Sequence, residues 1–405
     1  MTGKNHHPPY APVNPESKRR RRASHVVRLA FFFLGFLARS AAKIARGRTQ
    51  TILLVRLDLL GDFVLFAPAL KAIRGHFVGR RIVLLVQNRI EGFARACPYV
   101  DEVIPVDIHR YRVNPAYALR VLLRVWSMRS AVSINSMYSR TLVGDEIVMW
   151  SSAETTIGWL GAWGDVHPDL KRLHDRQYTR LIPDQFGSDT HEYHRHRVLL
   201  RELGHEQEGD LRPGLWEIPS FGSLTIPIHD LVESGKFAIV VPGADARIRR
   251  WPFSSFLELT RMISDRFPEL KIVLLGTTEE KHLGGIDGSP TFPAQVLDLR
   301  GKTALLDIPV IINSARLVIG NETGPIHLAI ALGIPSVAIV GGGHYGRFMP
   351  YGEPTTHRTV TNYLDCFHCD WHCSRKVPEC IIDVPVSQVW KELVNMLERM
   401  GMPFA

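Results

Sequence analysis

The sequence predicts an α/β protein of two doubly wound parallel sheets facing a central cleft, preceded by a basic, amphipathic extension. Three observations carry this. Short, nearly uninterrupted Val/Ile/Leu runs alternate with amphipathic stretches, the pattern of parallel strands buried on both faces. The alternation breaks near residues 165–220, where Gly, Pro, His and Asp are frequent, and then restarts. At 405 residues the chain is long enough for two such units.

The extension comprises residues 1–49. A polar, Pro-rich start is followed by "KRRRR" (18–22) and the apolar run "VVRLAFFFLGFLA" (26–38). That run is shorter than the roughly 20 residues a membrane-crossing helix needs. On a helix, Arg28, Arg39, Lys43 and Arg46 form one narrow basic stripe among phenylalanines and leucines, which predicts a helix lying on a membrane surface. A secretory signal is the rival reading, opposed by Arg28 inside the apolar run. A helix packed on the body is the third. Residues 1–50 hold eleven Lys/Arg against Glu16, so of the net +9 the remainder from residue 51 carries −1. The body therefore has no basic surplus for nucleic acid, and no nucleic-acid partner is expected.

The first sheet is expected within residues 50–225, with strands at "TILLVRL" (51–57), "RIVLLV" (81–86), "EVIPV" (102–106) and "AVSIN" (131–135). "HEYHRHRVLLRELG" (191–204) predicts an amphipathic helix ended by glycine, with His191, His194 and His196 mostly facing solvent rather than holding a metal. The second sheet is expected within 226–405, with strands at "KFAIVVPG" (236–243), "KIVLLG" (271–276), "RLVIGNE" (316–322) and "SVAIVGG" (336–342). Helices are predicted at "FSSFLELTRMISDRF" (253–267), "LLDIPVIINSA" (305–315) and "PIHLAIALG" (325–333).

Ligands of such sheets sit beyond the carboxyl ends of the strands, so the turns there are the candidate sites. "RLDLLGDFVLFAPAL" (56–70) places Asp58 and Asp62 where the first strand turns into a helix, with Pro68 expected to kink it. No G-x-G-x-x-G stands there, which argues against a dehydrogenase. In "VIGNETGPIHLAIALGIP" (318–335), Asn321 to Gly324 form a turn and Pro325 opens a helix. Its peptide N–H groups, the Thr323 hydroxyl and His327 predict a pyrophosphate cradle. "PGADARIRRWP" (242–252) brings Arg249 and Arg250 to the same end, suited to diphosphate charge. "GTTEE" (276–280) offers Glu279 and Glu280, a carboxylate for ribose hydroxyls or a helix-capping charge. "CFHCDWHCSRKVPEC" sets Cys366, Cys369, Cys373 and Cys380 at spacings that suit a thiolate-held Zn or Fe of structural type, or four reduced thiols.

Together these runs, with "PYVDEVIPVD", "DLRGKTALLDIPVIINSARLVIGNETG" and the cysteine tail, resemble glycosyltransferase family 9, the lipopolysaccharide heptosyltransferases, from about residue 51 onward. The resemblance implies a GT-B fold, with an acceptor domain at 50–225 and a nucleotide-sugar domain at 226–405. It implies inverting transfer, with no catalytic metal, from a nucleotide-sugar co-substrate such as ADP-heptose to a lipid-linked or other envelope glycan. It also implies a cytoplasmic enzyme peripheral to the inner membrane. Asp62 matches the family's general base. Arg249, Glu280, Thr323, Gly324 and His327 match its donor-binding positions, and Glu322 stands where relatives carry Asp. A protein-modifying branch of the family is associated with an iron-binding Cys pattern. The alternatives are a protein acceptor and a non-catalytic nucleotide-binding assembly protein.

Overall fold

The computed structural model describes residues 28, 30–37, 49–161, 168–183, 186–187, 189–205, 211–218, 224–282, 293 and 296–399. They form two six-stranded sheets flanked by helices. The first comprises β1 Ile52–Arg56, β2 Ile82–Gln87, β3 Glu102–Val106, β4 Val132–Asn135, β5 Thr155–Trp159 and β6 Arg180–Ile182, in the order β3-β2-β1-β4-β5-β6. The second comprises β7 Phe237–Val241, β8 Lys271–Leu274, β9 Val296–Asp298, β10 Leu317–Asn321, β11 Ser336–Ile339 and β12 His357–Val360. Its order, β12-β11-β10-β7-β8-β9, repeats that of the first sheet, and every neighbouring pair is parallel. Each order reverses once, between β1 and β4 and between β7 and β10, the switch points where such sheets bind ligands.

The central strands are buried throughout: "ILLVR" in β1, "FAIVV" in β7 and "LVIGN" in β10. Strands β5, β6, β9 and β12 went beyond the sequence expectation. They are three to five residues long with only one or a few apolar positions facing a core, so no hydrophobic run marks them. The described residues of the 165–220 stretch hold β6 and the helix Pro168–Asp175 beside the expected helix, Glu192–Glu202.

The chain divides into two compact units that do not follow chain order. The first takes the described residues to Leu57 with Arg80–Leu85 and Ile104–Pro183; the second takes Asp58–Gly79, Val86–Val103 and the described residues after 184. The Leu60–His76 helix thus packs in the second unit. Phe63 meets Phe93 and Trp216 at 5.9 and 6.3 Å, and Phe66 meets the His196 ring at 5.1 Å. The helix runs unbroken through Pro68.

Residues 28 and 30–37 are helical, and here the structure corrects the basic stripe. Arg28 is buried in the first unit, with Nη1 2.8 Å from Glu146 Oε2 and Nη2 donating to the Tyr111 carbonyl. Phe31 and Phe32 are buried with it, and Trp150 Nε1 donates to the Phe31 carbonyl at 3.0 Å. A buried guanidinium needs a fixed partner, and Glu146, invisible as such in the sequence, supplies it. Phe33, Leu34, Phe36 and Leu37 face outward, 63%, 48%, 50% and 62% exposed. "KRRRR", Arg39, Lys43 and Arg46 lie outside the described residues. No helix among the described residues is long and apolar enough to cross a membrane.

Candidate active site

The site is built where β7 and β10 lie side by side at the switch point of the second sheet. Asn321, fully buried at the end of β10, ties the two together. Its Nδ2 donates to the Pro242 carbonyl at 2.8 Å and its Oδ1 accepts the Trp251 N–H at 2.9 Å. The turn after β7 is thereby held against the turn after β10, which brings Arg249 to Glu322. Arg249 Nη2 lies 3.2 Å from both the Glu322 carbonyl and Oε1, while its buried Nε has no hydrogen-bond partner among the described residues. Arg250 is absorbed locally, Nε donating to the Ala244 carbonyl at 2.8 Å. Asn321 was missed as a site residue because asparagine at a strand end reads as turn punctuation.

Glu322 is 5% exposed. Burial would raise its pKa, but Arg249 first and His327 after it hold the carboxyl below its ordinary value. His327 Nε2 lies 3.9 Å from Glu322 Oε1, and Nδ1 lies 2.9 Å from Tyr351 Oη. Thr323 precedes the Gly324–Ala331 helix in extended backbone, its hydroxyl donating to the Asn321 carbonyl at 3.2 Å. The helix start offers fewer peptide donors than the sequence suggested: Pro325 has no N–H, and those of Ile326 and His327 return to the Thr323 carbonyl.

Two glycines let the start of the Leu60–His76 helix meet this turn. A Cβ on Gly61 would stand 2.8 Å from His327 Cδ2, and one on Gly324 would stand 2.8 Å from Leu60 Cδ2. Gly61 therefore lies against His327, and Asp62, half-buried, follows it in the first turn of the same helix. Arg347 senses it: burial would depress this guanidinium, and Glu192 first, then Asp62, keep it charged. Arg347 Nε donates to Glu192 Oε1 at 2.7 Å. The 191–196 histidines thus need correction. His196 is 1% exposed and Glu192 and Arg195 are buried beside it, because this face of the helix packs on the Leu60–His76 helix and the Arg347 loop; only His194 is exposed.

Glu280 sits at the ends of β7 and β8, its Oε2 accepting the Thr277 N–H at 2.8 Å. A Cβ on Gly243 would fall 1.9 Å from its Oε1, so a larger residue there would displace the Glu280 carboxyl. The glycines of "GGGHYGRF" make room for the cysteine tail: Cβ atoms on Gly342 and Gly343 would come within 2.4 Å of Phe367 and Trp371. The Trp371 ring lies 5.7 Å from the Arg249 guanidinium carbon, and its Nε1 donates to His344 Nδ1 at 3.1 Å, so the tail walls the site rather than standing apart from it.

Cys366, Cys369, Cys373 and Cys380 line one small cavity as free thiols. Burial, and then the neighbouring thiols, push Cys369 and Cys380 above the ordinary thiol range. The donor set suits a soft metal, but among the described residues no group of three or more side chains stands at metal-binding geometry. The expected metal centre is therefore not carried by the geometry.

Residues 191–373 match the model of Glycosyltransferase family 9 (heptosyltransferase). Lipopolysaccharide heptosyltransferase 1 of Campylobacter coli is 24% identical over 310 residues, covering 72% of this chain and 83% of the relative. A family 9 glycosyltransferase from Veillonella parvula shares the fold at a TM-score of 0.64 and 19% identity, over 86% of this chain and 97% of that one. An E. coli heptosyltransferase with ADP does so at 0.61 and 17% identity, over 85% and 99%. The architecture is GT-B-like.

Proposed function

We propose that this chain, whose residues 191–373 match the family 9 model, is a family 9 glycosyltransferase that moves a heptose from ADP-heptose to a lipopolysaccharide-type glycan. The observation that carries this reading is the meeting of the Asp62 turn with the Arg249–Glu322–His327 cluster at the strand switch point. Asp62 accepts the proton of an acceptor hydroxyl as that oxygen attacks the anomeric carbon. The bond from that carbon to the diphosphate breaks, and the configuration inverts. Arg249, with Nε unspent, meets the leaving diphosphate together with His327 and the start of the Gly324–Ala331 helix. Glu322 keeps Arg249 aimed, and Glu280 receives the nucleotide's ribose. An ADP donor is favoured by the E. coli heptosyltransferase of the same fold with ADP.

General-base help is worth roughly 10²–10⁴-fold. Asp62→Asn is expected to lose transfer by that order while keeping ADP affinity, read by product formation and calorimetry. Turnover retained at the wild-type level would refute the role. Stabilisation by UDP- or GDP-sugars in place of ADP-heptose would refute the donor.

A peripheral place on the cytoplasmic face of the inner membrane fits this chemistry, since the acceptor is lipid-linked. It is supported by the outward Phe33, Leu34, Phe36 and Leu37 and by "KRRRR" ahead of them.

A further inference from the structure

His327 has two ring nitrogens in different company. Nδ1 lies 2.9 Å from Tyr351 Oη, and the two rings stack at 5.7 Å and 22°. Nε2 faces Glu322 Oε1 at 3.9 Å, on the side where Arg249 and the helix start converge. A neutral imidazole carries one proton, and the hydrogen bond made by one nitrogen decides which one holds it. A lone pair on Nε2 would point at the Glu322 carboxylate and be repelled, whereas an N–H there is attracted. On the other side, Nδ1 is the hydrogen-bond partner the structure gives the Tyr351 hydroxyl. The Glu322 side therefore calls for the Nε2–H tautomer, and the Tyr351 hydroxyl, able to donate or accept, completes it by donating to Nδ1.

We propose that Tyr351 is a positioning residue: its O–H donates to His327 Nδ1 and thereby fixes the proton on Nε2, aimed at the anionic group of the bound nucleotide. This matters because the helix start is poor in peptide donors, with Pro325 lacking an N–H and those of Ile326 and His327 spent on Thr323. The Nε2–H replaces a missing backbone donor. Tyr351 is itself held by aromatic contacts, its ring 5.1 Å from that of His191 and 5.6 Å from that of Tyr193. These belong to the segment whose Glu192 bonds Arg347, so the tyrosine's orientation is set by packing rather than by the hydroxyl. The inference rests on the glycosyltransferase reading for the ligand but not for the tautomer.

The test separates the two. Long-range ¹H–¹⁵N correlation spectra of ¹⁵N-histidine-labelled protein are recorded at pH 7.5 without ligand, with His327→Gln to assign the signal. His327 is expected as the Nε2–H tautomer in the wild type and as a mixture of tautomers in Tyr351→Phe, which keeps the ring stack. ADP affinity and kcat in Tyr351→Phe are each expected to fall roughly 3- to 10-fold, the worth of one modest hydrogen bond. A wild-type His327 found as the Nδ1–H tautomer or as imidazolium overturns the proposal whether or not the variant folds. So does a Tyr351→Phe spectrum identical to wild type. If the tautomer is as expected but neither protein binds ADP, the donor reading fails and the tautomer assignment stands.

Discussion

A methyl group on Gly61 would stand 2.8 Å from His327 Cδ2, inside the closest approach real side chains make. Alanine is otherwise the better helix residue, by up to ~1 kcal/mol, so the substitution sets local helix preference against the approach of two site turns. The ring of His327 is pinned by Tyr351 on one side and faces Glu322 on the other, so it has to give up one of these. Gly61→Ala is therefore expected to lower turnover by roughly 10- to 100-fold, the scale of a misplaced catalytic constellation, with the melting temperature within a few degrees of wild type. Steady-state kinetics beside a thermal melt reads both, and full activity would show that the contact is easily relieved. Residues of this kind were partly legible in sequence. Asp62, Arg249, Glu280, Thr323, Gly324 and His327 stand after predicted strands, where chemistry is expected. Gly61, Asn321, Tyr351 and Arg347 were not read, because their roles depend on partners far away in the chain: Asn321 on Pro242, Gly61 on His327 and Arg347 on Glu192.

At the scale of elements, the long apolar strands were legible because continuous burial leaves a continuous hydrophobic run, as in β1, β7 and β10. The short strands at the sheet margins were not, and the packing of the N-terminal helix on the body was only one of three readings, because the ion pair that accompanies Phe31 and Phe32 inward joins residues far apart in the chain. Glu146 is 0% exposed, and burial, the larger effect, outweighs Arg28 and Tyr111 to lift its carboxyl to about 7. A folded-state pKa above the unfolded value of 4.5 means a contribution to stability present below pH 4.5 and lost as pH rises through 7. Above pH 7 the carboxylate is charged in the core and Arg28 is what compensates it. Arg28→Ala should then release residues 30–37 more readily at pH 8 than at pH 6, seen as lower amide protection there once the base-catalysed intrinsic rate is divided out. Adding Glu146→Gln should flatten that pH dependence. Equal protection at both pH values in the single variant would mean that Phe31, Phe32 and the Trp150 bond to the Phe31 carbonyl hold the helix unaided.

For the whole molecule, the fixing of that helix changes what its outward face can do. A free amphipathic segment would bury its apolar residues by folding back on the body. Here Arg28, Phe31 and Phe32 have already taken the inward side, and Gly35 is pressed against Met149 and Trp150. Phe33, Leu34, Phe36 and Leu37 form a half-exposed apolar patch, preceded in sequence by four arginines and a lysine. Such a patch gains by entering the headgroup boundary of an anionic bilayer, where each basic residue near the surface adds about 1 kcal/mol. Replacing Leu34 and Leu37 with serine keeps the buried Phe31 and Phe32 and the Phe32–Phe33 ring contact. It is expected to cut binding of the full chain to vesicles containing anionic lipid by tenfold or more while leaving ADP affinity unchanged. Raising salt should weaken the wild-type binding as the charges are screened. Binding that survives the double substitution would place the membrane contact elsewhere on the chain, and binding that ignores salt would remove the arginines from the account.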